Sequence, residues 1–185
     1  MPLISYADMA HAPQEVREAF SRMPRKLNVM KMLANASAAF VPCMRLGGAI
    51  LGRQKLRPRM RELVILTVSQ REGGAYEWVQ HVPIAEAAGL SRAQIEAVEA
   101  GRFEDTCFDD REQALLRFAC EVIDKVRADE ETVKAASRYF SPQEIVEIIV
   151  TCGFYMMLSR LTETTRTDVD LPSGTAVVEE LARLR

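Results

Sequence analysis

Histidine is scarce in this chain, with only His11 and His81 among 185 residues. The four cysteines, Cys43, Cys107, Cys120 and Cys152, include no pair at CxxC or zinc-finger spacing. Neither a local dithiol nor a zinc knuckle is therefore encoded, and no metal site is expected. Dispersed cysteines of this kind usually behave as small apolar residues. Charge of one sign is missing too. The 24 Lys and Arg are balanced by 26 Asp and Glu with no like-charge block, which leaves no electrostatic footprint for nucleic acid or an anionic membrane. Long apolar runs are absent as well. The longest uncharged stretches, Met32–Met44 and Ile148–Ser159, fall short of the roughly 20 residues a spanning helix needs. The N-terminus lacks the basic-then-apolar order of a signal peptide. The expectation is a soluble cytoplasmic protein with no nucleic-acid or membrane partner.

Strand signals are nearly absent, since no run alternates cleanly and no Asn-Gly or Asp-Gly turn occurs. Helical periodicity recurs instead. The spacing predicts a short helix over Gln14–Met23, then an apolar stripe of Leu27, Met30, Ala34 and Ala38 on a segment stopping near Pro42. Gly47, Gly48 and Gly52 are expected to loosen the next stretch. Pro58 fits the first position of a strong helix to about Arg71, and Gly73-Gly74 breaks it. A helix over Tyr76–Ala88 follows, with Pro83 expected to kink or interrupt it. Ser91 with Gln94, and Ser141 with Glu144, have capping-box spacing. The first starts a helix ending at Gly101, the second one that reaches Thr165. Between them lies a helix from about Asp110 to Arg127, and Arg117–Glu131 reads as a solvated face. The fold class is all-α, with seven to nine helices. One helical domain is expected over residues 1–171 with its core at 57–101, and an amphipathic segment over residues 172–185.

The chemistry gathers around His81. On a helix, Glu77 and His81 are four apart and share a face, while Trp78 is three away and offers an aromatic wall. Glu62 lies near the start of the preceding helix. If the two helices pair across Gly73-Gly74, Glu62 and His81 differ by roughly 6 Å along the axes, within reach of a glutamate. An imidazole flanked by two carboxylates suits proton transfer. The same spacing also suits an ordinary surface ion pair and a first-turn acid, so spacing alone leaves both readings open. Tyr155 could project its hydroxyl into the same pocket, whereas Phe154, Met156 and Met157 read as core.

The segments Arg57-Pro-Arg-Met-Arg-Glu-Leu-Val-Ile-Leu-Thr-Val, Gly74-Ala-Tyr-Glu-Trp-Val-Gln-His and Ala85-Glu-Ala-Ala-Gly-Leu-Ser resemble the carboxymuconolactone decarboxylase family, which includes the alkylhydroperoxidase AhpD-like proteins. Asn28-Val-Met-Lys-Met-Leu-Ala-Asn and Phe108-Asp-Asp-Arg-Glu-Gln-Ala-Leu-Leu are similar to larger members. The resemblance implies an AhpD-like helical bundle and a homo-oligomer, a trimer or hexamer. In its peroxidase branch a CxxC precedes the histidine, and those two positions fall here on Gly74 and Glu77. The resemblance therefore implies the branch without the dithiol, since no disulfide cycle can run without two thiols.

What it implies for function is a cofactor-independent acid/base enzyme acting on a small organic acid or lactone, of the carbon–carbon lyase type known from aromatic catabolism. His81, Glu77 and Glu62 would be catalytic, and Tyr76, Trp78 and Tyr155 would contact the substrate. Decarboxylation, isomerisation and hydration or dehydration all remain open. A cation for a substrate carboxylate would come from Arg61, Arg160 or Arg166. Two alternatives stand beside this one: a peroxidase using a lone cysteine such as Cys152 or Cys43, and a non-catalytic oligomer that binds a small molecule.

Overall fold

Proline and capping boxes set four of the helix starts. In the computed structural model, which describes residues 1–23 and 25–175, Pro58 and Pro142 occupy first-turn positions, where a missing N–H costs nothing. Reciprocal capping boxes open three helices, at Ser91 with Gln94, Asp109 with Glu112 and Ser141 with Glu144. The described residues form nine α-helices and no strand: α1 (Gln14–Ser21), α2 (Asn28–Leu33), α3 (Ser37–Arg53), α4 (Pro58–Glu72), α5 (Ala75–Ala87), α6 (Arg92–Glu99), α7 (Asp110–Lys125), α8 (Glu130–Ala136) and α9 (Pro142–Thr165). The amphipathic segment expected at the C-terminus lies outside the described residues beyond position 175.

Helix α4 is the hub. Every residue from Met60 to Ser69 is buried, the pattern of a helix surrounded by others, and it packs against α5, α6, α7 and α9. Its end is fixed by Gly73, whose φ of 69° suits glycine, with the Gly74 amide bonded back to the Ser69 carbonyl at 2.8 Å. The chain then enters α5 at once, so α4 and α5 form a hairpin.

Three sequence expectations are corrected. Helix α3 does not stop at Pro42 but runs through it. Pro42 and Ala38, whose carbonyl loses its donor, are both exposed, so water can satisfy that carbonyl. Gly47 and Gly48 are buried rather than loosening, and a Cβ on Gly47 would stand 3.1 Å from the Phe154 ring. Glycine there lets α3 approach α9 closely. Pro83 does not interrupt α5. In addition, α7 ends at Lys125 and a separate α8 begins at Glu130, so the face read over Arg117–Glu131 is broken by a turn.

Helix α9 is long and apolar enough by length and composition to cross a membrane. Its Thr151, Ser159, Thr162 and Thr165, however, are buried inside this bundle. One line on its outer side remains apolar and exposed: Val146, Ile149, Val150 and Met157.

Glu112 knits the hub to its neighbours. Its carboxylate accepts from Arg59 Nη2 at 2.7 Å, from Gln94 Nε2 at 2.9 Å and from the Asp109 amide at 3.1 Å, joining α4, α6 and the start of α7. Glu112→Ala should cost about 2–3 kcal/mol, because it removes the carboxylate that pairs a partly buried guanidinium, leaving Arg59 only the Gln94 amide oxygen and the Gly89 carbonyl. Urea denaturation of the two proteins would measure it, and an unchanged midpoint would show that the network is not stabilising.

Candidate active site

Glu62 and His81 meet across the α4–α5 hairpin, with Glu62 Oε2 2.8 Å from His81 Nδ1. Both side chains are buried, Glu62 completely. The other carboxylate oxygen accepts from Arg61 Nε at 3.0 Å and lies 3.0 Å from Nη2, while Arg61 Nη1 donates to the Leu51 carbonyl at 2.7 Å. Glu62 is thus bracketed between a guanidinium and an imidazole. An acceptor on Nδ1 places that proton on the neutral ring and leaves Nε2 as a lone-pair base.

His81 faces a cavity of about 90 Å³ between α2, α3, α5 and α9. Leu27, Met30, Leu33, Leu51, Ile84 and Phe154 give it an apolar lining, and its polar members are Tyr76, Glu77, Gln80, His81, Tyr155, Ser173 and Cys43. Tyr155 stands edge-on to the imidazole at a centroid distance of 4.9 Å, and burial pushes its phenol well above the ordinary value. Its hydroxyl has no hydrogen-bond partner among the described residues, so it is free to meet a ligand.

Glu77 does not pair with His81 in the way its spacing allows. It is buried, and its carboxylate accepts from Thr162 Oγ1 of α9 at 3.1 and 3.2 Å. Burial raises its pKa, against the lowering effect of its hydrogen bonds and of the nearby imidazole. The two acids therefore sit in opposed settings. Glu62 has a cation beside it, whereas Glu77 is desolvated toward its neutral form. Gly74, one turn earlier, is hemmed in: a Cβ there would collide with Ser159 Oγ, come within 2.9 Å of Ser159 Cβ and 3.0 Å of Glu77 Oε2.

The remaining candidates separate. Tyr76 lines the cavity, but its hydroxyl donates to Asp170 Oδ2, which also accepts the Asn28 amide at 2.6 Å. Trp78 is not a cavity wall. It lies in a shallow pocket with Gly73, Ala75 and Glu99, because it sits about 60° beyond His81 around α5, on the flank away from Tyr76, Gln80 and Ile84, which face the cavity. Arg61 is spent on Glu62 and Leu51. Arg160 is exposed and pairs with Glu72 at 2.6 Å, and Arg166 is exposed at the end of α9. No lysine or arginine among the described residues lines the cavity. His11 is exposed and held by Asp8 at 2.7 Å. No group of three or more His, Cys, Asp and Glu side chains among the described residues is placed to hold a metal ion.

Some of the site was beyond the reach of the sequence reading. Gln80 donates to the Asp170 carbonyl at 2.8 Å and accepts the Ser173 amide at 3.2 Å, so the chain after α9 straps across α5 and brings Ser173 into the cavity wall. No local signal marks such a strap. The Arg61-Glu62 pair did carry one: two adjacent opposite charges heading an apolar run, which is costly unless they serve each other.

Residues 39–121 match the carboxymuconolactone decarboxylase family. The matched stretch runs from α3 through most of α7 and so contains Glu62, Glu77 and His81. Among solved structures, the chain is similar to a protein of unknown function from Agrobacterium tumefaciens whose suggested role is that of an antioxidant defence protein, AhpD. The two share 27% identity over 75% of this chain and 95% of that one, with a TM-score of 0.68. It also shares its fold with an uncharacterized peroxidase-related protein from Ralstonia eutropha JMP134, an alkylhydroperoxidase AhpD core (18% identity, 91% and 92% coverage, TM-score 0.78). A third fold match is a variant of the debrominase Bmp8 in complex with 2,3,4-tribromopyrrole (17% identity, 99% and 97% coverage, TM-score 0.72). No curated protein sequence matches the chain. The all-helical AhpD-like fold is as the sequence reading expected.

The raised pKa of Glu77 makes a stability prediction. The folded protein keeps a proton there that the unfolded chain releases near the ordinary glutamate value, about 4.3. Glu77's contribution is therefore fully present below that pH and is lost as pH rises through its folded pKa. Glu77→Gln, which stays neutral, should gain on the wild type in thermal midpoint as pH is raised above the ordinary glutamate range. Melting curves across that range check it, and a difference independent of pH would refute the assignment.

Proposed function

We propose that the chain is an acid/base enzyme that moves a proton on a small organic acid or lactone without a cofactor. The observation that carries this reading is the Arg61–Glu62–His81 bracket, with the imidazole 2.8 Å from Glu62 and facing an apolar cavity. His81 Nε2 takes the proton from a carbon or oxygen of the substrate. The imidazolium that forms is stabilised by the Glu62 carboxylate, whose other oxygen stays matched by Arg61. Glu77, desolvated toward its neutral form, supplies a proton to the position where electron density arrives. In a decarboxylation the electrons of the broken carbon–carbon bond would stay on the substrate and take one proton as carbon dioxide leaves. In an isomerisation the same two groups would remove one proton and deliver another.

His81→Ala should abolish turnover, and Glu62→Gln and Glu77→Gln should each lower it by about 10²–10⁴-fold, with helicity and assembly unchanged. The readout is deuterium incorporation from heavy water into small unsaturated lactones and lactone acids, followed by proton NMR. Full activity in both His81→Ala and Glu77→Gln would end this reading. If His81→Ala instead lowered only the melting temperature of a protein that never turns over, the cluster would be structural in a binding protein.

One observation favours a second reading: Cys43 lines the same cavity as His81. A single thiol there would reduce an alkyl hydroperoxide to the alcohol while becoming a sulfenic acid, and an external thiol would have to restore it. Cys152 is a poor alternative, since burial pushes its thiol up to about 12. Loss of hydroperoxide consumption in Cys43→Ser, with proton exchange intact, would separate the two chemistries.

The homo-oligomer, a trimer or hexamer, stands as a proposal as well. The exposed apolar line of Val146, Ile149, Val150 and Met157 on α9 supports it, because such stripes are commonly covered by a partner. Val150→Asp should shift the protein toward monomers in light scattering after gel filtration, and a monomeric wild type would overturn the assembly.

A further inference from the structure

The proposed acid/base reading leaves the charge of the substrate open, and the cavity's own electrostatics narrow it. A carboxylate placed beside His81 would need a cation or several free donors to replace its hydration, since an unpaired buried charge is strongly disfavoured. The one guanidinium close to the imidazole is Arg61, and it is used up. Its Nε and Nη2 lie 3.0 Å from Glu62 Oε1, and its Nη1 donates to the Leu51 carbonyl at 2.7 Å. No other cationic side chain among the described residues lines the cavity. The ionisable groups that do line it include a second acid, Glu77, which is itself buried. An anion would meet a carboxyl and an apolar wall.

Two of the cavity's amide and hydroxyl donors are committed elsewhere. Tyr76 Oη donates to Asp170, and Gln80 Nε2 donates to the Asp170 carbonyl at 2.8 Å. Besides the Ser173 hydroxyl and the Cys43 thiol, two polar atoms on the cavity wall stay free of partners among the described residues: His81 Nε2 and the Tyr155 hydroxyl. Their rings stand edge to face with centroids 4.9 Å apart. A neutral carbonyl compound matches this pair. Its oxygen can accept from Tyr155, whose hydroxyl keeps its proton in that setting, while a neighbouring C–H faces the imidazole lone pair.

Resting on the acid/base reading, we propose that the cavity takes an uncharged small carbonyl compound, such as an unsaturated lactone, and excludes its ring-opened carboxylate. Tyr155 holds the carbonyl oxygen. The reaction is then a proton shift on a neutral molecule: one C–H bond breaks toward His81 Nε2, the double bond moves, and a proton is delivered at the far carbon from Glu77. Atoms and electrons balance within the substrate and these two groups, with no carbon dioxide lost.

Saturation-transfer NMR on the full-length protein tests this with three probes of similar size: α-angelica lactone, its ring-opened product levulinate, and cyclopentylammonium. The lactone should bind at least about tenfold more tightly than either ion, the ratio corresponding to 1.4 kcal/mol. Tyr155→Phe should weaken the lactone about tenfold, in keeping with the loss of one buried hydrogen bond, and leave levulinate unchanged. Trp78→Phe, outside the cavity, should alter neither. Equal or tighter binding of levulinate or the ammonium ion overturns the inference, as does the absence of binding by all three at millimolar concentration. A lactone that binds as expected but shows no His81-dependent isomerisation would refute the acid/base reading while leaving the charge selectivity standing.

Discussion

The buried contact between Glu62 and His81, backed by Arg61, is the constraint from which the rest of the site follows. Burying a carboxylate is tolerable only when it is paired and hydrogen-bonded, and here both oxygens are served, one by the guanidinium and one by the imidazole. That requirement fixes the register of the α4–α5 hairpin. The turn between the helices must be short, so Gly73 takes a left-handed conformation and α5 begins at Ala75. With α4 enclosed on all sides, the pair can only look outward through α5, which is where α2, α3 and α9 leave the cavity.

Much of this was legible in the residues. Capping boxes and first-position prolines marked the starts of α4, α6 and α9, because these signals act within one turn. The Glu62–His81 pairing was also readable, since a two-glycine break between apolar helices leaves few ways to bring them together. What failed were inferences that depend on surroundings. Pro42 reads as a stop but is harmless where its freed carbonyl faces water. Gly47 reads as a weak point but is a close-packing site, and only the Phe154 ring of α9 reveals that. Trp78 reads as a pocket wall from its spacing to His81 alone, but it lies on the flank of α5 away from Tyr76, Gln80 and Ile84, which face the cavity. Glu77 found Thr162, a partner 85 positions away that no local pattern announces.

The polar cluster of the cavity turns its one cation away from the open space. Its cation is turned inward to stabilise Glu62, so the positive charge serves the imidazole's partner and not the ligand. An apolar lining strengthens each hydrogen bond that a ligand does make, by the same low dielectric that penalises an unmatched charge. Tyr76 and Gln80, which look like ligand contacts from their place on α5, are occupied in tying down residues 170–173. They shape the cavity by holding its edge.

The absence of a CxxC ahead of His81 is more than the loss of two side chains. At position 74 the space a β-carbon would need is held by Ser159 of α9, whose Cβ lies 2.9 Å from that point. A thiol there would require α9 to move or Ser159 to be cut back, and α9 is anchored at the same level by the Thr162 bonds to Glu77. At position 77 the carboxyl is integrated into that contact and desolvated by it. Packing, hydrogen bonding and protonation at Gly74, Glu77, Ser159 and Thr162 are thus mutually dependent. Single changes toward a dithiol would be opposed by the α5–α9 interface itself.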